Sequence, residues 1–395
     1  MGRSRHSGRI ALLCTLWCAA VLWVPCLSPA QAQPVSPETW HFEEPASLRI
    51  LDGYQVLHLK GSPEQLGRQH GLLARDKVRR VVDDVLHNMA AADEEGLNDL
   101  LEGAMVMEMY LPDAFRTELK ALGRVTGIPY DEIVALQLFG DVQRAMWPMC
   151  SSFAAFGPAT KTGELIAGRN LDFIDNGASE YAAVIICYYP DEGLPFLTIS
   201  WAGIINGWTA MNAAGLVVSN NSAYEGEASL EGLSTCFMLR KIAQYATTVE
   251  EGVEIIRNTP KACGTVMMIA GGSPPNAAEV EYDHNNVAVR WAEDGYVIGT
   301  NSFLKLGREN GSEIWCSRYL RLEELIRQNY GEIDRSMNFA GAEGVPIEYM
   351  NLHSAMLYPK DLTISVSMGQ IPACSHPYHT YRFTERGLVS GSVSE

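Results

Sequence analysis

The sequence is short of positive charge. Its 30 Lys and Arg residues face 47 Asp and Glu, for a formal net charge of -17. Such a surface repels phosphate backbones and anionic lipid, which argues against nucleic-acid binding. The one basic cluster, Arg75–Arg80, is interrupted by Asp76 and reads as a solvated helix face. Also lacking are a phosphate-cradling Gly-x-x-x-x-Gly-Lys-Ser/Thr, a Gly-x-Gly-x-x-Gly ahead of a helix, a His-Glu-x-x-His and a Gly-x-Ser-x-Gly. No Cys-x-x-Cys occurs, which removes the usual zinc spacing, and His376-Pro377-Tyr378-His379 has no third ligand at a recognisable distance, so it reads as a surface turn. There is no internal repeat and no low-complexity stretch. With 47% apolar and 19% charged residues, disorder, collagen and a disulfide-dense scaffold are excluded for most of the chain. Its 395 residues suit two or three domains or one large layered unit.

Long hydrophobic runs are confined to the start. Arg3, Arg5 and Arg9 precede the apolar run Ile10–Leu27, and Ala30-Gln31-Ala32 follows. A basic start, a greasy centre and an Ala-x-Ala site make a secretory signal cut after Ala32; the alternative is an uncleaved anchor. Residues 1–32 are thus a leader. The mature chain is expected to be exported, to the periplasm or beyond the cell, without stable membrane insertion. Cys14, Cys18 and Cys26 leave with the leader. Cys150, Cys187, Cys236, Cys263, Cys316 and Cys374 remain, and in an exported chain such cysteines can pair. Cys187, in the apolar run Ala182–Tyr189, reads as a buried structural thiol.

Residues 33–149 read mainly as helix: a capped start at Ser62-Pro63-Glu64-Gln65, then helical stretches near Leu97–Leu122 and Glu132–Arg144. Around Cys150 the texture changes to short β runs, Ser152–Phe156, Glu164–Ala167, Tyr181–Tyr189, Phe196–Ser200, Gly207–Met211 and Leu216–Ser219, joined by turn signals. Two helices, Cys236–Tyr245 and Val249–Arg257, separate these from a second β block (Val266–Ala270, Ala278–Tyr282, Val287–Trp291, Tyr296–Gly299). A helix near Ile314–Gln328 and strands Leu352–Leu357 and Leu362–Ser367 close the chain. The pattern predicts an α+β fold of two packed antiparallel sheets with helical layers outside.

Cys150 alone among the cysteines has neighbours that ask for chemistry. A single hairpin, out along Ser151–Gly157 and back along Glu164–Ala167, returns Arg169 and Asp172 to the place where Cys150 stands. A thiol attacks as the thiolate, which a guanidinium favours. Read on spacing alone, Arg169 and Asp172 are also a plain salt bridge at a strand end.

Cys150-Ser151-Ser152-Phe153 followed by Gly168-Arg169-Asn170-Leu171-Asp172-Phe173 resembles the N-terminal-nucleophile (Ntn) hydrolases of the choloylglycine hydrolase and penicillin acyltransferase type, and within them the C45 autoproteolytic acyltransferase/hydrolase family. Further matching segments run from Leu59-Lys60-Gly61 through Gly127-Ile128-Pro129, Met211-Asn212-Ala213-Ala214-Gly215-Leu216, Gly299-Thr300-Asn301 and Cys316-Ser317-Arg318 to Leu352-His353-Ser354. The resemblance implies a four-layer αββα sandwich and a proenzyme that cuts itself at Met149–Cys150, leaving a smaller subunit 33–149 and a larger one 150–395. These would form a heterodimer, alone or within a larger oligomer. It implies Cys150 as nucleophile, Arg169 favouring the thiolate, Asp172 holding the new α-amine, Asn301 as oxyanion donor and Arg318 as a supporting residue. No metal or organic cofactor is required. One position departs: Ser222 stands where choloylglycine hydrolases carry Asn, which makes the adjacent Asn221 a candidate for that role. The implied substrate is a small N-acyl compound, and the composition of Ile204–Trp208 points to an apolar acyl group. A papain-like hydrolase pairing Cys150 with His284 or His353, and a non-catalytic exported binding protein on the same fold, are the alternatives.

Overall fold

A computed structural model describes residues 40–391, apart from 41, 91–92, 145–148, 176, 224 and 308–313. The expected leader and cleavage site, with Cys14, Cys18 and Cys26, lie outside the described residues. The described chain opens on a hairpin, β1 (Ser47–Leu51) and β2 (Tyr54–Gly61), so the region before Cys150 is not helical throughout. Asp52 and Gly53 turn it with φ of 48° and 88°. Two central residues at positive φ give the turn whose twist matches hairpin strands, and Asp-Gly favours it.

Helices follow: α1 (Pro63–Leu73), α2 (Arg75–Val82, continuing in wider π-type turns to Ala90), α3 (Glu94–Glu108), α4 (Asp113–Thr126) and α5 (Tyr130–Gln143). Ser62 caps α1 as expected: its hydroxyl accepts from the Gln65 amide, and the Gln65 side chain accepts from Ser62 N–H. The single stretch expected near Leu97–Leu122 is two helices, because Pro112 offers no amide to continue the first.

From Met149 on, strands dominate. They are β3 (Met149–Ala155), β4 (Ile166–Asp172), β5 (Ala183–Pro190) after the short α6 (Ala178–Ala182), β6 (Phe196–Trp201), β7 (Thr209–Asn212) and β8 (Val217–Ser222). Helices α7 (Thr235–Tyr245) and α8 (Val249–Arg257) lead to β9 (Thr265–Gly271), β10 (Asn276–Tyr282), β11 (Val287–Trp291) and β12 (Tyr296–Gly299). Then come α9 (Ser317–Gln328), β13 (Asn351–Tyr358), β14 (Thr363–Met368), β15 (His379–Thr384) and β16 (Gly387–Ser390).

These strands form two sheets. One has nine strands in the order β1-β2-β5-β6-β7-β8-β9-β10-β11; the other has seven, β12-β3-β4-β13-β14-β15-β16. All neighbours are antiparallel except β2 and β5. The sheets face each other where β3 meets β8 and β9 and where β12 meets β10. Helices α7 and α8 cover the far side of the nine-stranded sheet and α9 the far side of the seven-stranded one, giving the expected αββα order of layers. Strands β6 and β9 are buried along their whole length and β5 at every residue but Pro190, which explains why they read as mostly apolar runs rather than alternating ones. Among the described residues no helix is long and apolar enough to cross a membrane.

The segment before Cys150 is bound to the rest by more than a sheet edge. Glu118 on α4 and Arg240 on α7 form a buried ion pair at 2.6 Å, and the guanidinium lies 4.6 Å from the rings of both Phe115 and Tyr188. Removing one partner of such a pair typically costs about 3–5 kcal/mol, since the other charge is left buried alone.

Candidate active site

The hairpin β3–β4 puts the sequence candidates together, with a register that refines them. Cys150 stands opposite Leu171, Ser152 opposite Arg169 and Met149 opposite Asp172. Both charged residues lie inside β4 rather than beyond its end. Strand alternation therefore places Cys150, Ser152 and Arg169 on the face turned to the other sheet, and Asp172 on the opposite face.

Cys150 and Arg169 are buried, and Arg169 Nη2 lies 3.4 Å from the sulfur while donating to the Asn220 carbonyl at 2.6 Å. Its Nε and Nη1 are buried without a hydrogen-bond partner. The Arg169–Asp172 salt bridge expected on spacing alone is not formed. Asp172 instead accepts from the Asn351 side chain at 2.7 Å and the Ile347 amide at 2.9 Å, and burial raises its pKa to about 6.

Asn301, two residues beyond β12, accepts the Cys150 N–H at 2.5 Å and an Arg318 Nη2 bond at 3.1 Å, and its own amide donates to the Ser222 carbonyl at 2.8 Å. Arg318, at the start of α9, also donates to the Cys150 carbonyl and reaches Met149 Sδ at 3.8 Å. Asn221 donates to Ser152 Oγ at 2.7 Å, a tie between the two sheets at the next residue along from Cys150 on the same face of β3. The end of β8 is thus a hub: three successive residues hold Arg169, the Cys150 strand and Asn301.

Cys150 sits in the wall of a cavity with about 980 Å³ of empty space, its open mouth included. Val85, Phe173, Trp201, Ile204, Trp208 and Leu352 supply apolar lining, and the two Trp rings meet edge to face with centroids 5.0 Å apart. Such a lining has the character of a pocket for a mostly apolar small molecule.

Residues 159–370, more than half of the chain, match the family described as acyl-coenzyme A:6-aminopenicillanic acid acyl-transferase. The chain belongs to that family. The match begins just beyond Cys150 and takes in Arg169, Asp172, Asn301 and Arg318. Among curated proteins, the chain is 24% identical over 340 residues to an uncharacterized protein of Archaeoglobus fulgidus, covering 72% of this chain and 56% of that one. It is 26% identical over 260 residues to protein dcd1B of Dictyostelium discoideum, covering 59% and 51%. The chain thus spans about half the length of the curated relatives it matches. A solved Caenorhabditis elegans ortholog of N-acylethanolamine-hydrolyzing acid amidase aligns at a TM-score of 0.42 and 13% identity, over 62% of this chain and 100% of that one.

The papain-like alternative meets no support in this member of the acyl-transferase family. His353 lies across β4 from Cys150, two strand spacings or roughly 10 Å away. Its Nε2 is bonded to Thr209 Oγ1 at 2.9 Å. His284 Nδ1 is 2.7 Å from the Lys261 carbonyl, in a turn beyond β10. The described cysteines are all free thiols, and Cys187 is fully buried as expected. Among the described residues no three His, Cys, Asp or Glu side chains converge as a metal site.

Sequence reading missed two buried acids on β10. Glu279 accepts from Ser152 Oγ at 2.9 Å, and burial raises its pKa to about 7. Glu281 binds the loop that carries Asn301. The signal was there, since acids at alternate positions of an apolar strand point into the same interface.

The pocket loop hangs from the segment before Cys150. Gln137 of α5 accepts from the Ile205 amide and donates to the Gly203 carbonyl, each at 2.9 Å. His70 Nε2 of α1 accepts from the Gly203 amide at 2.9 Å. Burial, then the Arg240 charge, pushes the His70 pKa down to about 3, so the ring is neutral. A folded value below the unfolded 6.5 means full stabilisation above pH 6.5, lost as pH falls toward 3. At pH 4 the loss is on the order of 3 kcal/mol. His70→Gln, which keeps an acceptor, is expected to lose less melting temperature than wild type between pH 7 and pH 4. Parallel acid dependences of the two proteins would show that His70 does not titrate in this window.

Proposed function

We propose that this chain is an exported, self-processing Ntn amidohydrolase or acyltransferase that works through an acyl-Cys150 intermediate on small N-acyl compounds with an apolar acyl group. The observation that carries this reading is a buried thiol 3.4 Å from a guanidinium nitrogen, with no histidine among the described residues hydrogen-bonded to it. Such a nucleophile needs a base from elsewhere, and a freed α-amine, with an ordinary pKa of about 7.7–8.0, suits the task.

Self-cleavage would begin with Cys150 Sγ attacking the Met149 carbonyl carbon. The thiol proton leaves sulfur, the S–C bond forms and the C–N bond breaks onto the protonated Cys150 nitrogen. Water then hydrolyses the thioester, giving a Met149 carboxylate and a free Cys150 thiol and amine. The products are the smaller subunit 33–149 and the larger 150–395. Arg318, on the Cys150 carbonyl, and Asn301, on its amide, hold the nucleophile's own backbone during this step. Asp172 is the candidate to hold the new amine, a role supported by its register opposite Met149. In turnover the amine takes the thiol proton, sulfur attacks the substrate carbonyl, and Arg169 and Asn301 meet the developing charges. Water or an acceptor amine then resolves the acyl-enzyme. The apolar lining of the cavity supports the acyl preference.

The test is intact mass and N-terminal sequencing of purified protein, wild type beside Cys150→Ala. Wild type is expected as two fragments, the larger beginning Cys150-Ser151-Ser152, and the variant as one uncut chain. A single wild-type chain with Cys150 unreactive to iodoacetamide would instead favour a non-catalytic binding protein.

A further inference from the structure

Glu281 is a fully buried carboxylate outside the constellation above, and its acceptor capacity goes mostly to one loop. Oε1 accepts from the Leu304 amide at 2.9 Å and from Arg290 Nε at 2.5 Å. Oε2 accepts from the amides of Lys305 at 2.7 Å and Leu306 at 2.8 Å. Three consecutive backbone N–H groups converging on one carboxylate make a charge-assisted cradle, stronger than neutral bonds and fixed in direction. Arg290 extends the tie: its Nη2 donates to the Ile298 carbonyl of β12 at 3.0 Å. On the loop's other side Phe303 is buried against Ala223 and Val266, one residue beyond the β8 hub. Asn301 thus lies between two fixed points, the end of β12 and the Leu304–Leu306 cradle.

We infer that Glu281 is a positioning residue for Asn301, setting the place of its side-chain amide through the loop and without touching substrate. This inference rests on the proposed role of Asn301 as the oxyanion donor. Loops usually bond to water and tolerate drift, whereas an oxyanion donor must hold its place to a fraction of an ångström; a misplacement of about 1 Å can cost about 100-fold in rate. A buried acid bonded to the loop's backbone supplies that rigidity independently of the loop's side chains.

The experiment compares wild type with Glu281→Gln, whose amide turns a donor toward N–H groups that need an acceptor. Three readouts are taken: hydrogen exchange of the 300–307 peptide, the alkylation rate of Cys150 by iodoacetamide, and hydrolysis of p-nitrophenyl octanoate. Exchange in the loop is expected to quicken and kcat to fall about 10- to 100-fold, with KM within about threefold and alkylation unchanged. Arg290→Gln, which leaves the three backbone bonds in place, should give the same pattern more weakly and serves if the first variant does not accumulate. Unchanged exchange would remove the cradle as the loop's anchor. Quicker exchange with wild-type kcat would make Glu281 structural only. Wild type that neither self-cleaves nor turns over the ester would overturn the enzymatic reading itself, a result distinct from either failure.

Discussion

Arg169→Met is expected to yield a protein at least as stable as wild type and close to inactive. The two effects have one cause. Arg169 is wholly buried, and two of its nitrogens, Nε and Nη1, have no hydrogen-bond partner. An unmet buried donor costs about 1–3 kcal/mol, and apolar replacements of buried charges are often neutral or stabilising. Met fills similar volume without that penalty, although the Asn220 carbonyl loses its donor. Activity moves the other way, because the variant removes the cation 3.4 Å from the sulfur. With p-nitrophenyl octanoate, kcat/KM should drop about 100-fold or more, the scale of losing one preorganised charge-stabilising donor. Thiol alkylation should slow with it, because the thiolate is the reacting form. A melting temperature several degrees below wild type would mean that Arg169 is held for structure, and an unchanged alkylation rate would separate it from the thiol.

Asn301 carries the second large effect, and two variants divide its work. In the uncut chain its carbonyl accepts from the Cys150 amide and Arg318, while its amide donates to Ser222. Asn301→Ala removes all three bonds. Self-cleavage should slow and kcat should fall about 100- to 1,000-fold, or roughly 3–4 kcal/mol. Asn301→Asp keeps the acceptor for Cys150 and Arg318 but has no N–H₂ group. Cleavage should therefore persist better than in the Ala variant, while turnover falls as far. Equal cleavage rates in the two variants, read from band intensities over time, would show that the Cys150–Asn301 bond does not govern processing.

Much of this was legible in the sequence where local chemistry and burial agree. Val249–Arg257, Val287–Trp291 and Tyr296–Gly299 have the bounds expected of them. The β3–β4 hairpin was placed correctly but drawn too short, because Arg169 and Asp172 do not look like strand interior; their partners lie on β8 and β13 and near Ile347, far away in sequence. The first hairpin was overlooked despite Asp52-Gly53, since the helical periodicity after Ser62 outweighed it. The strands β15 and β16 were missed as well. They are short and only partly buried, so they carry little apolar signal. Asn221 points into the interface between the sheets, where its side chain meets Ser152, a contact that only the three-dimensional register shows.

The parallel pairing of β2 with β5 bears on solubility as well as on architecture. β5 is an unbroken apolar strand, Ala183–Pro190, with β6 on one side and β2 on the other. Without β2, its backbone donors and acceptors would form an open edge, a template on which other chains add. The segment before Cys150 thus acts as a resident guard against aggregation. Cutting the chain at Met149–Cys150 would not relieve it of that duty.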